Sequence, residues 1–329
     1  MKKIDIFIED MVWESNIKYL RMMLKTKEKF FEYLNNEESL KKYAKGIKEL
    51  WNVDHSYMDK AIKELDKMVS ELDISDYEKY EKPLTKQQSV KLTNGKLYYY
   101  NYDKKQYPLN PESDFRKIEQ QFANRIIKLY SRYIERIKEV PDKESYLSNI
   151  VKTYDKQEKT IPYYHKDGTI KCYNTVATYN SMLYNWNLTH SAWNRTEYDA
   201  EVLDNHLYYL PAHPHACPLC SEYQGYVYAD KKGLGYPLKE DAIEGGVGHP
   251  NCQHVWTLYW DKAQIQDEKY NSPEDIEEYK TRQKIQSLDL EKARLLSDRR
   301  IYKNLGDQEM VDKTTSKIKK IREKKKELE

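Results

Sequence analysis

His213-Pro-His-Ala-Cys217-Pro-Leu-Cys220 and, 28 residues later, His249-Pro-Asn-Cys252-Gln-His254 are the residues on which the reading of this chain turns. Three of the four cysteines and four of the eight histidines fall between His213 and His254. The Cys-x-x-Cys and His-x-x-Cys knuckles each turn two soft ligands toward one point. Zinc takes four such nitrogen and sulfur ligands tetrahedrally, and a closed four-ligand site is usually structural. The preferred set is Cys217, Cys220, His249 and Cys252, because both halves then share the same spacing, with His254 as the alternative to His249. His213 and His215 are set aside because Pro214 stiffens their segment. Cys172 stands alone and is read as a packing residue. Around the knuckles the chain changes character: residues 200–262 hold six of the ten glycines. Val255–Trp260 reads as a strand, and Leu207–Leu210 as a second. This is a small, loop-rich α+β module of the kind that needs a staple.

Outward from the module the pattern is helical. On its N-terminal side, Val12, Ile17, Leu20, Leu24, Phe30, Phe31 and Leu34 recur at helical spacing with Lys and Glu between them, and a second helix is expected around Tyr57–Leu72. Residues 1–82 are thus an N-terminal helical region. Pro83, Asn94-Gly95, Pro108 and Pro111 interrupt residues 83–112, an irregular connector in which Lys96–Tyr102, following Asn-Gly, reads as a hairpin arm. From Ser113, the residues Phe115, Ile118, Phe122, Ile126, Leu129, Tyr133 and Ile137 form one apolar stripe over more than six turns. A further helix over 173–199 carries Tyr173, Val176, Tyr179, Leu183 and Trp186 and is read as a core helix without a site. Residues 113–199 make up this long-helix region. On the C-terminal side, Ser272-Pro273-Glu274-Asp275 combines an N-cap, proline at the first helical position and acids in the first turn. That helix runs to Asn304, Gly306 ends it, and Asp307 opens a last helix to Glu329. Residues 263–329 therefore form a helical hairpin. Its basic tail, Lys317–Lys326, holds seven bases, with three acids through Glu329. The fold class expected is mainly α, elongated, with a small loop-rich α+β module and a C-terminal helical hairpin.

Composition fits an extended helical chain with much surface. Of 329 residues, 33% are charged and 39% are apolar, and there are 31 tyrosines against 5 phenylalanines. Tyrosine, apolar in body and polar at the tip, suits half-buried surfaces and contacts. Net charge is only +2, short of the basic footprint of a dedicated DNA-binding domain. No 18-residue apolar run is present, so no membrane span is expected. The first ten residues place acids where a signal peptide needs a long apolar stretch. Cysteines clustered with histidines fit a reducing compartment and a metal better than disulfides.

Catalytic readings of the cluster lack their partners. A zinc deaminase needs His-x-Glu ahead of Pro-Cys-x-x-Cys, and here Pro218 sits inside the pair. A zinc protease needs His-Glu-x-x-His, which is absent. A Cys–His nucleophile pair needs a free thiolate beside an unliganded histidine. An HNH-type nuclease is the stronger alternative, since Gly248-His-Pro-Asn-Cys-Gln-His254 is superficially similar. No Asp-His or His-His pair stands within residues 200–262 to activate water beside it.

Cys217-Pro-Leu-Cys220, Tyr223-Gln224-Gly225-Tyr226-Val227-Tyr228 and Gly248-His-Pro-Asn-Cys-Gln-His254 together resemble the hallmark of tailed-phage minor head proteins, the Mu protein F-like and minor capsid protein 2 head-morphogenesis proteins. Gln253 stands where that family usually has arginine. The basic helical hairpin over 272–329 is also similar to the family's C-terminal region. The resemblance implies a non-enzymatic virion protein at or near the portal vertex, inside the capsid. It would contact the portal protein and the major capsid protein within a multi-subunit assembly. It would act in head assembly and in DNA packaging or ejection, with packaged DNA a partner of the basic tail.

Overall fold

The structure is a computed structural model that describes residues 2–77, 98–100, 106–108, 111–159, 161–164, 169–260, 262, 265 and 270–329. Within these residues the order is α1 (Lys2–Asn35), α2 (Leu40–Leu50), α3 (Ser56–Tyr77), β1 (Tyr98–Tyr100), β2 (Gln106–Pro108), α4 (Pro111–Ile137), α5 (Lys143–Glu158), β3 (Ile161–Tyr164) and β4 (Ile170–Asn174). Then follow α6 (Val176–Leu203), β5 (Leu207–Leu210), β6 (Tyr226–Ala229), α7 (Lys239–Glu244), β7 (Thr257–Leu258), α8 (Pro273–Leu305) and α9 (Gln308–Leu328). The protein is mainly α, with small antiparallel sheets and a compact α+β part. No described helix is long and apolar enough to cross a membrane. The chain divides into two compact units, one of residues 1–14, 55–111 and 181–280, the other of residues 15–54, 112–180 and 281–329.

The second unit is an aromatic-cored helical assembly. Phe30 on α1 is ringed by Phe31, Tyr43, Tyr130, Tyr133 and Tyr154 at centroid distances of 5.0–6.0 Å. Tyr43 and Tyr130 stack at 3.9 Å. The tyrosines are therefore core material here: Tyr19, Tyr43, Tyr130 and Tyr154 are fully buried, more deeply than composition suggests. The apolar stripe of α4 is buried at Phe115, Phe122, Ile126 and Ile137, with Phe115 stacked on Tyr19 and Phe122 against Trp51. Two helices that the apolar pattern did not single out, α2 and α5, are set by their caps. Ser39 Oγ accepts the Lys42 N–H at 3.3 Å, and Asp142 Oδ1 accepts the Ser145 N–H at 3.0 Å. Lys27, 1% exposed, bridges Asp155 on α5 and Asp298 on α8 at 2.6 Å each. Nearby Glu158 is buried, which raises its carboxyl pKa to about 8.

The C-terminal hairpin forms as its caps require. Ser272 Oγ accepts the Asp275 N–H at 3.2 Å while the Ser272 N–H donates to Asp275 Oδ2 at 2.9 Å, a reciprocal cap. Gly306 separates the two helices, and Asp307 Oδ1 accepts the Met310 N–H at 3.0 Å to start α9. Lys325 then ties α9 to α8 through Asp289 at 2.7 Å.

In the first unit, β6-β5-β7 form an antiparallel sheet. Tyr209, Val227 and Tyr259 share its core cluster. β1 pairs with β2, so Tyr98–Tyr100 is a hairpin arm whose partner follows it in sequence; the expected Asn94-Gly95 turn lies outside the described residues. The strand expected over 255–260 is reduced to Thr257–Leu258, because the segment before it is held by side chains rather than by a neighbouring strand. Two further readings are corrected. Tyr173 lies on β4 and is 51% exposed, so it is no part of the stripe on α6. Cys172, on the same strand, is exposed and does not pack.

Candidate metal centre

Sheet topology explains how residues 32 apart in sequence meet. Leu210 at the end of β5 pairs with Tyr226 at the start of β6, and Tyr209 pairs with Thr257 at the start of β7. The loop leaving β5 and the loop entering β7 therefore sit at the same end of the sheet. The first carries the Cys217–Cys220 knuckle, closed by the Cys220 and Ser221 N–H groups bonding to Cys217 C=O at 2.9 and 3.0 Å. The second carries His249–Cys252, closed by the Cys252 N–H to His249 C=O at 2.7 Å.

Helix α6 grips the second loop through a ladder of side chains. Asn185 Nδ2 donates to the carbonyls of Pro250 (3.0 Å) and Cys252 (2.8 Å), and Thr189 Oγ1 donates to Cys252 (3.0 Å). Trp193 Nε1 donates to the carbonyl of His254 (2.7 Å), and Thr196 Oγ1 to that of Trp256 (2.9 Å). Donors three or four residues apart on one helix face meet alternate carbonyls of an extended segment, the two repeats matching as their periods require. Each bond satisfies a carbonyl that no strand reaches. Gly248, at φ +86°, lets the loop pass against this helix: a Cβ there would lie 2.5 Å from Trp193 Cη2.

The five residues singled out in the sequence converge. Cys217, Cys220 and His249 form one trio and Cys220, Cys252 and His254 another, each with ligand atoms within 4.8 Å of one another and close enough to hold a metal ion. Cys220, Cys252 and His254 are buried; Cys217 and His249 are half-buried. Cys220 and Cys252 Sγ are 3.7 Å apart, Cys252 Sγ and His254 Nδ1 3.7 Å, and Cys217 Sγ and His249 Nε2 3.0 Å. Crowding pushes the thiols apart in acidity. Cys217 and Cys252 are both held below the usual thiol range, chiefly by sharing the one proton of Cys220, with His249 helping at Cys217. Cys220, which keeps the shared proton, is pushed up. His249 is raised against its burial by its hydrogen bond to Cys217. Three thiols and two imidazoles brought together in this way are a donor set suited to a soft cation.

Of the histidines set aside, His215 meets Glu9 at 3.1 Å, away from the trios. His213, however, is buried with its Nε2 3.3 Å from His254 Nδ1, so it borders the centre. Sequence reasoning missed the role of Gln224: wholly buried, it accepts the His213 N–H at 3.1 Å and faces His254 Nε2 at 2.9 Å through Oε1. It missed the α6 ladder as well. The signal was present in Asn185, Thr189 and Trp193 at four-residue spacing, but a search for apolar stripes passes over it.

A mainly helical chain with a cysteine–histidine centre at the loop end of a small sheet defines the class. Among protein families, the model for phage minor capsid protein 2 matches residues 48–328. The chain belongs to this family, which gives it a structural place in a bacteriophage virion. No curated protein and no solved structure matches it significantly.

Proposed function

We propose that the protein is a minor component of the phage head at the portal vertex. In this reading it contacts the portal protein and the major capsid protein, serves head assembly, and takes part in packaging or ejection of DNA. The observation that carries it is the match to the minor capsid family over nearly the whole chain. The basic tail of α9, with exposed Lys317, Lys320 and Lys324 along one helix face, is the surface offered to packaged DNA.

The cysteine–histidine centre is proposed as a structural zinc clamp drawing on Cys217, Cys220, Cys252 and one of His249 and His254. Soft sulfur and nitrogen donors suit the ion, and one edge of the cluster, the 3.7 Å between Cys220 and Cys252 Sγ, is close to the edge of about 3.8 Å expected of a tetrahedron with Zn–S near 2.3 Å. When bound, zinc supplies cross-linking free energy to two loops of residues 200–262. With three thiolates and one imidazole as ligands the shell would be closed, leaving no open position for a substrate. The same residues that bring the loops together, Gln224 and the α6 ladder, keep the donors converged.

The reading is tested with a phage carrying a nonsense codon in the gene for this chain, complemented by wild type or by a Cys217→Ser/Cys252→Ser variant. Mass spectrometry should find the chain in purified virions. Electron microscopy should find defective or empty heads without it and with the variant. Full infectivity and filled heads in its absence would sink the assembly role.

A further inference from the structure

Two histidines compete for one place in the clamp, and the hydrogen bonds around them differ in kind. We propose that His254, through Nδ1, is the histidine ligand, and that Gln224 is the positioning residue that presents it; this rests on the zinc-clamp reading above. The Gln224 amide is oriented from both ends: its Nε2 donates to Tyr270 C=O at 3.2 Å, and its Oε1 accepts the His213 backbone N–H at 3.1 Å. Its oxygen therefore faces His254 Nε2 at 2.9 Å, and that ring nitrogen must carry the proton. A neutral imidazole has one N–H, so the lone pair of His254 is at Nδ1, the atom 3.7 Å from Cys252 Sγ. A ligating histidine with its other N–H fixed by an acceptor is the usual arrangement at metal sites.

His249 is arranged in the opposite sense. Its Nδ1 accepts the Asn251 N–H at 3.2 Å, which puts the proton of the neutral ring on Nε2, the atom 3.0 Å from Cys217 Sγ. Coordination through Nε2 would move that proton to Nδ1, where it would face the Asn251 N–H, donor against donor. The loop would lose a hydrogen bond and leave a donor unpaired. As it stands, His249 is a hydrogen-bond donor to the Cys217 sulfur, a partner of a ligand and not a ligand itself. His254 must give up only the contact with His213 Nε2 at 3.3 Å, whose N–H occupies the same lone pair in the metal-free ring. Burial points the same way, since Cys220, Cys252 and His254 are the closed side of the cluster.

The test is titration of cobalt(II) into the full chain, where tetrahedral thiolate coordination gives intense visible bands and sulfur-to-metal charge transfer. His249→Gln should keep the tetrahedral spectrum, and His254→Gln should lose it. Gln224→Leu should weaken binding about 10–100-fold, and Gln224→Glu, which keeps the acceptor, should restore it. Loss of the bands in His249→Gln with their retention in His254→Gln would overturn the assignment, as would unaltered affinity in Gln224→Leu. Because Gln224 is fully buried, its replacement risks the fold. A long-range proton–nitrogen spectrum of the zinc-loaded wild type therefore provides a second arm: His254 should show a protonated Nε2 and a metal-bound Nδ1, and a metal-bound His249 would refute the proposal. A wild-type chain that binds neither cobalt nor zinc would remove the clamp itself, an outcome distinct from binding with the wrong histidine.

Discussion

Alanine at Gly248 should destabilise the first unit severely, and the structure supplies its own control. Two costs combine there. The backbone lies at φ +86°, where an L side chain costs roughly 1–2 kcal/mol. A Cβ would also sit 2.5 Å from Trp193 Cη2 and 3.1 Å from Cζ3. That ring cannot swing away, because its Nε1 is bonded to the His254 carbonyl and it packs on Trp256 at 5.9 Å. Overpacking of this kind costs about 1–3 kcal/mol, so Gly248→Ala should lose roughly 2–5 kcal/mol in all. Gly246, at φ +124°, carries backbone strain without the clash, since the nearest side-chain atom to its Cβ position is Leu219 Cβ at 3.8 Å. Urea unfolding followed by tryptophan fluorescence, with the metal content held constant, should rank Gly248→Ala well below Gly246→Ala. Equal losses in the two variants would refute the argument that Trp193 packing, rather than backbone conformation alone, fixes glycine before His249.

Thr189→Val, which keeps the shape and removes the donor, should cost only about 0.5–1.5 kcal/mol because Asn185 still serves the Cys252 carbonyl. Asn185→Leu should cost more, roughly 1–3 kcal/mol, because it removes the side-chain donor to the Pro250 carbonyl; equilibrium unfolding ranks the two, and the reverse order would count against the ladder. In the other unit, Lys27→Met should fall toward the low end of roughly 3–5 kcal/mol, since it strands Asp298 while Asp155 is half exposed; thermal unfolding reads this, and a neutral result would show that the bridge contributes nothing. Burial raises Glu158 to about 8 in the folded chain, so its contribution to stability is complete below the unfolded carboxyl range and declines as pH rises toward 8. Glu158→Gln should therefore flatten the decline between about pH 4.5 and 8, as read from urea midpoints across that range, and a wild type whose Glu158-dependent stability rises with pH would contradict it. Chelation of bound zinc should lower the unfolding midpoint and release protection of amides in residues 200–262 to hydrogen exchange, whereas unaltered protection would argue against a clamp.

Much of this protein is set by local sequence. The α4 stripe from Phe115 to Ile137 repeats at helical spacing, and one packed face suffices to make it a helix. The C-terminal hairpin is written in caps, Ser272-Pro273 and Asp307, whose partners lie three residues away. The cysteine–histidine spacing likewise marks out five residues that converge in space. What tertiary structure decided are relations between groups far apart in the chain. Asn185, Thr189, Trp193 and Thr196 look like ordinary polar interruptions of a helix until the carbonyls of residues 250–256, some 60 positions away, come within reach. Tyrosines buried around Phe30 are compositionally the same as tyrosines at a surface. The choice between His249 and His254 depends on which ring nitrogen faces a donor and which an acceptor. Spacing fixes which residues can approach one another, but the proton on an imidazole is fixed by neighbours that only the folded chain supplies, Gln224 for one ring and the Asn251 N–H for the other.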